Sequence, residues 1–150
     1  NPNAYVIQEV LKVNQTTNFS VADSELAGSH QTALDFMAVH GAQVLRNRIH
    51  SANGWCAYVK GGSANIRVEG NEMFACAVGG VAAGEGSGHE YHVPPYVTYE
   101  SYGVQIVNNG TTPANVRISR GGQLVAQTTV AAGSSAVRYA ARPATSAWTS

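Results

Sequence analysis

The apolar positions change their period along the chain, and each change marks an expected element. Residues 4–13 are β-branched and aromatic and predict a strand. A polar loop follows from Gln15 to Asn18, and Phe19 and Val21 mark a second short strand. From Ser29 to His50 the spacing turns helical, with Leu34, Met37, Ala38, Gly41, Val44, Leu45 and Ile49 recurring at three and four residues. Ser29 suits an N-cap, Arg46, Arg48 and His50 suit the last turn, and Asn53-Gly54 suits the stop. One amphipathic helix over 29–50 is expected; an earlier start at Asp23-Ser24-Glu25 is opposed by Gly28. Beyond it the period drops to two. Residues 55–60, 64–69 and 72–78 read as short strands, with Gly61-Gly62 and Gly70-Asn71 as turns. Val104 and Ile106 mark another strand. Residues 114–120 and 123–130, joined by Gly121-Gly122, form the strongest hairpin signal, and residues 136–139 make a final strand. No internal repeat is evident. The expected fold is mainly β (α+β): one β-sandwich-like domain of short antiparallel strands over residues 1–150, with the helix docked on it and a loose tail at 142–150.

Residues 79–103 fit no period. Five of the ten residues 79–88 are glycine, and Pro94-Pro95 blocks helix and central strand alike. Long loops without regular structure tend to be functional. Tyr91, Tyr96, Tyr99 and Tyr102 cluster here, and tyrosine offers a rigid apolar face with a polar tip that suits recognition of sugar rings. The leading reading is a non-enzymatic binding, adhesion or self-assembling module that uses the 84–102 loop. Tyr91, Tyr96, Tyr99, His89, His92 and Glu90 would meet a glycan or a partner protein. In an alternative, a small nuclease-like hydrolase, His92 and Glu90 carry acid–base chemistry, with His40 and Arg117 as further raw material. A β-rich cytolysin is a third reading, weakened by a helix face poor in lysine. His89 and His92 lack the helical two-histidine spacing of a zinc site, so no metal and no cofactor are expected. His30, His40 and His50 lie ten apart and would fall on different helix faces.

Composition narrows the class. Of 150 residues, 44% are hydrophobic and only 12% charged, which argues for a folded domain. Nine basic and nine acidic residues balance to zero and argue against a nucleic-acid partner. Along the chain the balance breaks: residues 1–100 carry five basic and nine acidic residues, net −4, and residues 101–150 carry four arginines and no acid, net +4. A weakly charged surface favours association, so a homo-oligomer is among the expected partners. No apolar run approaches the roughly 18 residues of a membrane span.

Two cysteines, Cys56 and Cys76, suit one disulfide and an oxidising compartment. Sequons at Asn14, Asn18 and Asn109, and a start at Asn1 without a basic-then-apolar segment, fit a processed, secreted product. The disulfide conflicts with a simple meander. That arrangement would hold the strands at 55–60 and 72–78 roughly 9.5 Å apart, whereas a bridge needs Cα atoms closer than about 7 Å. If the cysteines are joined, one of those strands must belong to a second sheet or lie next to the other.

Overall fold

The computed structural model describes residues 6–84, 99–108, 111, 114–120, 123–133 and 135–139. Eleven strands come first: β1 (Leu11–Asn14), β2 (Ser20–Ala22), β3 (Glu25–Ala27), β4 (Leu34–Met37), β5 (Gln43–Leu45), β6 (Arg48–Ala52), β7 (Trp55–Lys60), β8 (Ser63–Ala64), β9 (Arg67–Glu69), β10 (Glu72–Cys76) and β11 (Gly79–Ala83). They are followed by β12 (Ser101–Tyr102), β13 (Val104–Asn108), β14 (Ala114–Arg120), β15 (Gln123–Val130) and β16 (Ser135–Tyr139). The first thirteen pair in parallel between successive coils. One face stacks β1-β4-β7-β11, a second β2-β5-β9-β13 and a third β3-β6-β10, with the short pair β8-β12 at a corner. This is a parallel β-solenoid. On the second face β16 lies antiparallel to β13, and β14 and β15 form a separate antiparallel pair.

The core is a set of stacked columns. Leu34 sits between Leu11 and Ala57, and Phe36 between Val13 and Val59. Val21, Val44, Val68 and Ile106 form a column on the second face, and Leu26, Ile49 and Met73 one on the third. Leu34, Phe36, Val44 and Ile49 are fully buried. Corners between faces are made by left-handed residues that also stack: Gln15, Ala38 and Gly61; Asn18, Gly41, Asn65 and Gly103; Asp23, Arg46 and Gly70; Gly28, Ser51 and Ala75. Gly103 is tight, because a Cβ there would lie 2.8 Å from Asn65 Oδ1 as well as carrying a φ of +61°.

The expected sandwich and helix are therefore corrected. Among the described residues every element is a strand, and residues 29–50 hold β4, β5 and most of β6. Beyond Ala33, the inward residues there are Leu34, Phe36, Val39, Ala42, Val44 and Ile49. Within each strand they alternate, but each corner inserts extra residues, so their average spacing is three and imitates a helix. Ser29 caps nothing; it is buried beside a corner. Of the expected strand at 4–13, the described residues 6–13 are strand only from Leu11, although His30 and Gln31 donate backbone hydrogen bonds to Ile7 and Gln8. An internal repeat does exist: paired positions lie 23 or 24 residues apart, as in Leu11–Leu34–Ala57–Val81. The strands at 55–60 and 114–130 coincide with the sequence reading. The tail at 142–150 lies outside the described residues.

Cys56 and Cys76 are joined, with Cα atoms 5.5 Å apart. The bridge links β7 on the first face to β10 on the third, which resolves the conflict with a meander. It is consistent with an extracellular location. Among the described residues no helix is long and apolar enough to cross a membrane.

Candidate functional site

The solenoid departs from its period once. Val59 pairs with Ala83 and Ser63 with Ser101. Between those paired positions the third coil uses residues 60–62 and the fourth uses residues 84–100, so the fourth carries a fourteen-residue insertion. Its two ends are held by backbone bonds. Gly84 donates to the Val59 carbonyl at 2.8 Å, Gly62 donates to the Glu100 carbonyl at 2.8 Å, and Gly61 donates to Glu100 Oε2 at 3.1 Å. The Gly62 carbonyl lies 3.0 Å from His40 Nε2. Gly61 is required by space: its φ is +63°, and a Cβ would fall 2.6 Å from Met37 Cγ.

Beside this corner lies a charged cluster on the outer side of the first face. Period two places Lys12, Asp35 and Tyr58 in one outward column, because Leu34 and Phe36 point into the core. Asp35 is 1% exposed. Its Oδ2 accepts from Lys12 Nζ at 3.0 Å and lies 3.4 Å from Lys60 Nζ, while Oδ1 has no partner. Lys12 also reaches Glu9 at 3.1 Å. Burial alone would lower the Lys12 ammonium pKa, but the hydrogen bonds and charges of Asp35 and Glu9 outweigh it and raise the group above 10.5. Lys60 sits 4.2 Å above the Tyr58 ring. The chain has only two lysines, and both meet Asp35. A buried carboxylate oxygen without a donor is an unsatisfied acceptor beneath the surface of the cluster.

On the far side of the insertion, the Tyr99 and Tyr102 rings stand 5.8 Å apart, tilted by 45°. Tyr102 is 47% exposed. Burial, and then the neighbouring Tyr102, push the Tyr99 phenol up.

Of the residues the sequence singled out, Tyr99 is thus placed at the insertion's root. His89, Glu90, Tyr91, His92 and Tyr96 lie outside the described residues, as does the side chain of Arg117. His40 is tied to a corner carbonyl rather than to a carboxylate. Among the described residues no three His, Cys, Asp or Glu side chains converge as metal ligands. Sequence reasoning missed Lys12, Asp35, Tyr58 and Lys60. They lie 23 residues apart or nearly so, and only the sparing use of lysine hinted at them.

The outer side of the third face carries a second array. Arg48 bridges Glu25 at 3.3 Å and Glu72 at 3.1 Å, and its guanidinium lies 5.0 Å over the Phe74 ring. His50 stacks on Phe74 at 4.5 Å. The hydrogen bond from His50, then the charges of His50 and Arg48, hold the Glu25 carboxyl below its usual range. Asp23 is held down mainly by its hydrogen bonds from Arg46. No family model, no curated protein and no solved structure matches this chain.

Proposed function

We propose that the chain is an extracellular carbohydrate-binding module that uses the outer side of the first solenoid face and the 84–102 segment. The observation that carries the reading is the single insertion in an otherwise regular stack. In repeat proteins, insertions gather on the binding face. Here the insertion leaves the fold between a charged cluster and a pair of tyrosines. Tyr99 and Tyr102 offer ring faces for a sugar, and Lys12, its side chain 41% exposed, offers an ammonium donor for its hydroxyls. Tyr91, Tyr96, His89, Glu90 and His92 belong to the same segment and supply further stacking and polar groups.

A glycan array on the non-reduced protein, followed by calorimetry on each hit, tests this. The wild-type chain is expected to bind a defined glycan. The Tyr91→Ala/Tyr96→Ala pair should weaken that binding by about tenfold or more, with the melting midpoint kept within about 2 °C. A second variant replaces residues 84–100 by Lys-Gly-Gly, the connection of the third coil, and should abolish binding while keeping the β-rich circular dichroism. A silent array, or unchanged affinity in both variants, overturns the proposal.

A further inference from the structure

The third face ends in a corner where three side chains chain together by hydrogen bonds. His50 Nδ1 lies 2.8 Å from Ser51 Oγ, and His50 Nε2 lies 2.9 Å from Glu25 Oε1. The imidazole cannot turn freely, because it stacks on the Phe74 ring at 4.5 Å with an interplanar angle of 13°. Its side chain is 16% exposed, whereas Ser51 is exposed and sits at a left-handed corner with φ +56°. Ser51 lines an open groove of about 440 Å³. Val6 and Ile7 form an apolar part of its wall, 48% and 55% exposed, and His30 and Asn53 line the same groove, with their backbone N–H groups donated to the Ile7 and Ser29 carbonyls.

From this arrangement we propose that Ser51, His50 and Glu25 form an acyl-transfer site that hydrolyses esters of short apolar acids. A nucleophile, a base in reach of it and a third group that orients the base are the parts such chemistry requires. With Nε2–H donated to Glu25, His50 Nδ1 is the acceptor for the Ser51 hydroxyl. Ser51 Oγ attacks the ester carbon as His50 takes its proton, and the carbonyl pair moves to oxygen. Collapse breaks the bond to the alcohol, which leaves with the proton from His50. Water then attacks the acyl-serine through the same base, releases the acid and restores Ser51. The side-chain amide of Asn53 and the imidazole of His30, both on residues that line the groove, are assigned as the donors for the charged oxygen. Val6 and Ile7 receive the acyl chain. Glu25 touches no reacting atom; it is a positioning residue that also stabilises the imidazolium. The site lies on a different face from the proposed glycan site, so either can fail alone.

The experiment treats the folded, non-reduced protein with a fluorophosphonate probe and maps the adduct by peptide mass spectrometry. p-Nitrophenyl acetate and p-nitrophenyl butyrate then measure turnover. One adduct per chain is expected at Ser51, absent from the Ser51→Ala variant and from protein unfolded in urea. Turnover should fall at least a hundredfold in Ser51→Ala and in His50→Ala. In Glu25→Gln, kcat should fall about tenfold at unchanged KM, which a purely structural role for Glu25 would not produce. No adduct at Ser51 in the folded wild-type chain, or equal turnover in wild type and Ser51→Ala, overturns the proposal.

Discussion

Asn47 shows how a single side chain fixes a coil. It is 2% exposed. Its Oδ1 accepts from the Ser24 backbone at 3.1 Å, and its Nδ2 donates to the Val21 carbonyl and to Asn71 Oδ1, both at 3.0 Å. Asn71 stands 24 residues on and repeats the gesture toward the Val44 carbonyl at 2.7 Å. Each amide thus satisfies backbone groups that a corner would otherwise bury without partners. Asn47→Ala leaves several such groups unpaired and should cost about 3 kcal/mol, seen as a lower urea midpoint at unchanged slope. None of this was legible locally. Read as part of a helix, Asn47 falls on a polar face between Arg46 and Arg48, and only its stacking on Asn71 gives it a role.

Strands 55–60 and 114–130 were legible because period two and paired glycines act within a few residues. The supposed helix was not, because short strands broken by corners average to a helical spacing, and Arg46, Arg48 and His50 mimic the basic last turn of one. They are instead rungs paired with Asp23, Glu25 and Glu72 across coils. The disulfide bears on the strands rather than on the helix: once Cys56 and Cys76 are joined, a simple meander of 55–60 and 72–78 is excluded. It closes a loop with a sequence separation of 20, most of one coil. Reduction should therefore lower stability by about 3 kcal/mol in the chain-entropy account. Urea denaturation with and without a phosphine reductant measures the loss, and identical midpoints would show that the coil is held without the bridge.

At the scale of the molecule, stability runs along one axis, since each coil touches only its neighbours. β1, β2 and β3 stand at the ends of their sheets, whereas β4, β5 and β7 are paired on both sides. Amide hydrogen exchange should release the first coil soonest and β4 and β7 last; equal protection of β2 and β5 would show a single cooperative unit instead. This stacking order left little trace in the sequence, because it pairs residues 23 or 24 apart whose side chains differ: Leu11, Leu34, Ala57 and Val81 share only an apolar character. The candidate site divides the same way. Its loop was visible in glycine, proline and tyrosine content, while the Asp35 cluster exists only because three coils bring Lys12, Asp35 and Tyr58 into register.

The bridge between Cys56 and Cys76 also sets how the chain carries load. Drawn apart at its two ends, a stack of this kind unspools one coil after another. When tension reaches the cystine, it passes through the sulfur atoms and bypasses the residues between them. Those residues stay slack, and the fully drawn chain falls short by about 70 Å. Until a reductant cuts the tie, the third coil behaves as a sealed ring on an otherwise continuous thread.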